Sequence, residues 1–144
     1  MSKIAVIGVN ESVGREILAY LADDGWKSEN IVALEPRAPL GTMVSFGEEE
    51  DIDVISLDEF DFSGVDLAVF AGSEEVSKRY INKALSKNVK VIDCTSLYFA
   101  DSDVPMIVAG VNDAALSQAK TATISNMAPK VCDFMVAICS SLSC

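Results

Sequence analysis

The stretch Lys3-Ile-Ala-Val-Ile-Gly-Val-Asn-Glu-Ser-Val-Gly-Arg-Glu-Ile-Leu18 constrains the chain more than any other, because an apolar run of strand length turns at Gly8 directly into a segment of helical period. Gly8 stands at a tight turn, and Gly14 stands where a helix must lie close to the strand. These are the first and third roles in the Gly-rich fingerprint that seats a dinucleotide pyrophosphate on a helix N-terminus. The middle role is unfilled. Val9, Asn10, Glu11, Ser12 and Val13 lie between the two glycines, so bulk and one negative charge occupy the place where bare backbone would approach a phosphate. A plain strand–turn–helix corner has the same spacing, and this stretch alone does not separate the two readings.

The rest of the chain repeats the strand–helix alternation. Ile17, Leu18 and Leu21 recur at helical spacing, and the helix is expected to stop at Gly25. Ile31–Leu34 reads as a second strand, closed off by Pro36 and Pro39, with Glu35 at the position where a carboxylate would meet an adenosine ribose or simply end a strand. Segments 42–46 and 52–57 alternate around an acidic turn and predict a hairpin, followed by a polar connector from Asp58 to Ser63. Val65–Phe70 predicts a buried parallel strand. After it comes a helix with Val76, Tyr80, Ile81, Ala84 and Leu85 on one face, and then strands at 89–93, 106–109 and 121–125. A short helix capped by Asn112 is expected over 113–119, and a last helical pattern from Pro129 runs to the end without a stop signal, as if the chain were cut there. The expectation is an α/β fold with a Rossmann-like, doubly wound, mainly parallel sheet in three layers, formed as one domain over residues 1–144.

Composition narrows the function classes. A formal net charge of -11 disfavours nucleic acid and anionic membrane surfaces as partners. No apolar run has the length of a membrane span, and the N-terminus lacks a signal-peptide pattern, so a cytoplasmic location is expected. The chain has no histidine, and Cys94, Cys132, Cys139 and Cys144 form no Cys-x-x-Cys pair. A metal site is therefore not expected, and a Ser-His-Asp or Cys-His apparatus is excluded within this chain. Cys132 and Cys139, seven apart, read as buried small hydrophobes on one helix face.

Lys3–Leu18, Leu57–Phe70, Val76–Tyr80 and Asp103–Asn112 together resemble the N-terminal nucleotide-binding domain of aspartate-semialdehyde dehydrogenases, and the resemblance covers essentially the whole chain in order. It implies a Rossmann-like domain followed by a substrate and dimerisation domain that is absent here, and homodimers formed mostly through that missing part. It also implies NADP-dependent reductive dephosphorylation of aspartyl phosphate through a cysteine thioester and a hydride transfer.

Several positions depart from the family pattern. Its first loop, Gly-Ala-Thr-Gly-x-Val-Gly, becomes Gly8-Val9-Asn10-Glu11-Ser12-Val13-Gly14, and its small-residue turn after the strand ending at Phe70 becomes Ala71-Gly72-Ser73-Glu74-Glu75. Glu11 and Glu74 are expected to project toward the space of a pyrophosphate. Arg37 matches the arginine for the NADP 2′-phosphate, whereas Glu35 replaces the serine, which disfavours NADP. The segment with the arginine that holds the substrate phosphate resembles Cys94–Phe99, with Phe99 in the arginine's place. The motif Asn-Pro-Asn-Cys-Ser-Thr lines up with Asn126–Val131, so Pro129 stands where the nucleophile belongs, and Cys132 lies almost a full turn further on. The frame without its cysteine is similar to the Usg-type relatives. The resemblance thus implies a non-catalytic dehydrogenase-like domain with weak or lost binding of NAD or NADP, its cofactor residues being Gly8, Asn10, Glu11, Ser12, Val13, Gly14, Arg37, Gly72 and Ser73. The alternatives are the NAD(P)-binding half of an oxidoreductase whose chemistry needs a second domain, and a reductase of another acyl phosphate, such as an N-acetylglutamyl phosphate relative.

Overall fold

The computed structural model describes residues 3–95 and the strands at 106–107 and 121–124. Its spine is β1, Ile4–Ile7, whose four residues are all buried. An alternating strand shows one face to water; a run apolar throughout, as here, requires cover on both faces. β1 pairs in parallel with β2 (Ile31–Glu35) on one side, Ile4 opposite Ile31, and with β5 (Leu67–Phe70) on the other, Ile4 opposite Leu67. β2 pairs in parallel with β4 (Glu50–Ser56), which pairs antiparallel with β3 (Met43–Phe46) at the sheet edge. Beyond β5 come β6 (Lys90–Asp93), β8 (Thr121–Ile124) and β7 (Met106–Ile107), giving the order β3-β4-β2-β1-β5-β6-β8-β7.

The two described helices cover opposite faces, in agreement with the expected three layers. α1 (Ser12–Asp23) lays Ile17, Leu18 and Leu21 over Ile4, Val6, Ala33 and Val54. α2 (Glu74–Leu85) lays Tyr80, Ile81 and Ala84 over the other face, with Ala5, Ile7, Leu34 and Phe70. The hairpin replaces a helical crossover between β2 and β4, so a mainly parallel sheet ends in an antiparallel edge strand.

The connector expected to be polar from Asp58 to Ser63 is only half so. Its aspartates face solvent, while Phe62 is fully buried, stacked 6.4 Å from Phe70 and edge-on to Phe60 at 5.1 Å. The strand after it is shorter than expected, starting at Leu67 because Asp66 and Leu67 donate backward to the Lys3 carbonyl. Gly25, at φ +90, ends α1 as expected. The helices expected over 113–119 and from Pro129 onward lie outside the described residues, as do Pro129 and Cys132.

Candidate functional site

The chain leaves β1 toward β2 on one side and returns to β5 on the other, so the direction of winding reverses between β1 and β5. A crevice opens at the carboxyl ends of strands at such a reversal, and it is where open α/β sheets hold ligands. Two turns border it, Gly8–Glu11 after β1 and Ala71–Ser73 after β5. Both are stitched to the sheet: the Gly8 N–H donates to the Leu34 carbonyl at 2.9 Å, and the Ala71 N–H to the Ile7 carbonyl at 2.8 Å.

The glycines here answer to space as much as to torsion. Gly8 has φ +90, and a Cβ on it would stand 2.5 Å from the Gly72 nitrogen. A Cβ on Gly14 would overlap the Gly8 carbonyl oxygen, so the first turn of α1 lies directly against the loop. Gly8, Gly14 and Gly72 are thereby brought together as their sequence positions suggested.

Val9 overturns the expectation of bulk between the outer glycines. Its side chain is fully buried in the α1-side core, and Val13 packs against the same cluster. Both turn away from the crevice, leaving Asn10, Glu11 and Ser12 as the exposed members of the loop. Glu11 is the residue preceding α1, with φ -80 and ψ 155, an extended conformation open to any residue, so its backbone does not require glycine. Its side chain makes no capping hydrogen bond to the first amides of α1. α2 differs: the Ser73 hydroxyl accepts from the Val76 N–H at 3.3 Å, and Glu74 and Glu75 occupy its first turn. Of the two helix starts bordering the crevice, α2 has one first-turn amide taken by its cap, whereas the residue before α1 takes none.

Glu35 ends β2, and its carboxylate accepts the Asn10 N–H at 3.1 Å, joining the two segments that would flank a nucleoside. Beside it Arg37 is exposed and left-handed, φ 54. A side chain seldom adopts that conformation without support, and Asp58 supplies it by accepting the Arg37 N–H at 2.7 Å. The other Asp58 oxygen accepts the Tyr80 hydroxyl at 2.7 Å, and these bonds, the tyrosine's first, hold the Asp58 carboxyl below its usual range and raise Tyr80 above its own.

Asp93, at the end of β6, went unmarked in the sequence. It is fully buried and accepts the Ser77 hydroxyl at 2.8 Å and the Thr95 hydroxyl at 2.7 Å. Burial pushes its pKa up against the pull of those two bonds, with Glu74 adding to the rise. A carboxylate closing a strand directly after the buried pair Val91–Ile92 is the signal that could have found it; Ser77 offers none. Cys94 beside it is half-buried, and among the described residues no three acidic, cysteine or histidine groups cluster to hold a metal.

The family model described as semialdehyde dehydrogenase, NAD binding domain, matches residues 3–119. The chain belongs to this family. It is 40% identical over 124 residues to an aspartate-semialdehyde dehydrogenase of Rickettsia bellii, an alignment covering 86% of this chain and 36% of that protein. The structure of aspartate semialdehyde dehydrogenase II of Vibrio cholerae superposes with a TM-score of 0.77 at 27% identity, covering 86% of this chain and 41% of that one. The Candida albicans enzyme, solved with NADP, shares the fold at a TM-score of 0.63 and 19% identity, over 88% of this chain and 43% of that one. As a semialdehyde dehydrogenase NAD-binding domain, the chain thus spans roughly a third of the length of the curated relatives it matches. No described helix is long and apolar enough to cross a membrane.

Proposed function

We propose that this chain is a dinucleotide-holding domain that binds NAD weakly and NADP more weakly still, and that it supplies no thiol nucleophile of its own. The observation that carries the reading is the uncapped start of α1, set over a crevice whose floor is bare glycine backbone. A pyrophosphate fits that cradle: the amides of Ser12 to Gly14 would meet its oxygens, and Gly8 and Gly72 would let it approach. Glu35 suits the hydroxyls of an unphosphorylated ribose and repels a 2′-phosphate, while Arg37 beside it offsets part of that repulsion. Glu11 is the element that fits poorly, since its charge stands at the rim of an anion site. The bound nicotinamide would supply hydride chemistry; the residues named here hold and orient it.

Calorimetry tests this. Wild type should bind NAD in the millimolar range, and Glu11→Gly should tighten it by about tenfold, the modest size expected of an exposed, salt-screened carboxylate. Tight NADP binding by wild type, or no saturation by NAD even in the variant, would overturn it.

The family match favours a second reading, in which the same domain serves a complete oxidoreductase of the semialdehyde class whose catalysis needs a further domain. The two diverge at Pro129, where a family nucleophile would open a helix. A covalent acyl adduct on Cys132 would decide for the second.

A further inference from the structure

Away from the crevice, the face of the sheet that carries α2 is left open at its β4 end. Alternation along β4 sends Val54 into the α1-side core and turns Asp53 and Ile55 to the other side, where no described helix lies over them. The loop at 38–41, β4 and the 59–61 connector enclose a groove of about 730 Å³ there. Leu40, fully exposed, Ile55, exposed by 45%, and half-buried Phe60 line it, and Asp53, Glu59 and Asp61 stand among them. Met43, registered opposite Asp53, extends the apolar surface toward the edge strand. These account for every exposed large hydrophobic residue among those described: Leu40, Met43 and Ile55.

The charged side chains that line the groove, Asp53, Glu59 and Asp61, have one sign; the cations near it stand at its rim, Arg37 next to the 38–41 loop and Lys83 and Lys87 toward Asp61. The Lys87 ammonium reaches Asp61 from outside at 3.8 Å, with both side chains well exposed.

We propose that this groove docks an amphipathic, lysine- and arginine-rich segment of another protein, its apolar side on Leu40, Ile55 and Phe60 and its cations on Asp53, Glu59 and Asp61. Charge selects this occupant. A second copy of a chain with net charge -11 would bring like charge to the same surface, and an anionic membrane or nucleic acid would be repelled. An apolar patch ringed by carboxylates matches the helix-in-groove mode of recognition, with basic flanks setting orientation.

The test uses the whole chain, isotope-labelled, with a synthetic helical peptide of leucine and lysine at heptad spacing as probe and its glutamate-for-lysine counterpart as control. Amide shifts should change chiefly at 38–41 and 53–61. Binding should weaken by about tenfold as salt is raised from about 0.05 to about 0.5 M. Leu40→Ser with Ile55→Ser should cost at least about fivefold in affinity, and Glu48→Gln with Glu49→Gln less than about twofold. Shifts scattered over the acidic hairpin with affinity unchanged in the serine variant would reduce the effect to charge attraction and overturn the proposal. A sedimenting dimer that Leu40→Ser abolishes would overturn it too, by making the occupant a second copy.

Discussion

Gly8 and Gly72 meet at the floor of the crevice but tolerate side chains differently. Gly8 combines φ +90 with a Cβ position 2.5 Å from the Gly72 nitrogen, so Gly8→Ala should cost about 1–3 kcal/mol in urea unfolding. A Cβ on Gly72 would lie 3.5 Å from the Gly8 Cα, in ordinary contact, and Gly72→Ala should be neutral or stabilise by up to about 1 kcal/mol. Asp93 is the other residue with a measurable signature. Its folded pKa is raised above the ordinary 3.8, so its contribution to stability is complete below that value and is lost as pH rises through the folded pKa. Asp93→Asn keeps an oxygen to accept one hydroxyl and an amide that Ser77 can accept in turn. Its stability relative to wild type should therefore improve as pH rises above the ordinary carboxylate value of 3.8, as measured by denaturant unfolding across that rise. A difference flat over the same rise would refute the assignment.

At the scale of elements, the strands and helices were legible wherever period and length agreed, as in β1, α1 and the acidic hairpin. The connector was not. Phe60 and Phe62 alternate with Glu59, Asp61 and Ser63 over too few residues to show a period, and only the stacking against Phe70 reveals one of them as core. Phe62→Ala should cost about 3–5 kcal/mol and Phe60→Ala clearly less, since the latter residue is half-buried. Of the candidate site, the sequence singled out Gly8, Gly14, Gly72, Glu35 and Arg37, and the structure sets the glycines and Glu35 beside the crevice. The Asp58–Tyr80 support was hidden because its partners lie 22 residues apart and meet only when α2 packs on the sheet. Val9 misled for a related reason: a sequence lists the residues of a turn but not which way each one points.

For the molecule as a whole, the order β2-β1-β5 opens a crevice at the carboxyl ends of the strands, where open α/β sheets hold ligands, and the Vibrio cholerae structure shares the fold. The chain's chemistry is a separate matter. Under the proposed function, incubating the chain with an aldehyde substrate and NAD, then trapping thioesters for mass spectrometry, should leave Cys132 unmodified; an adduct there would refute the proposal that the chain supplies no thiol nucleophile. Gly8 and Gly72 bind the two turns of the crevice to each other. Because two bare peptide segments touch there, neither turn can swing outward without uncovering the other, and the mouth of the crevice works as a single clasp. Amide protons of both turns should therefore exchange with solvent in one shared opening event, with matching protection, although more than sixty residues of chain separate them.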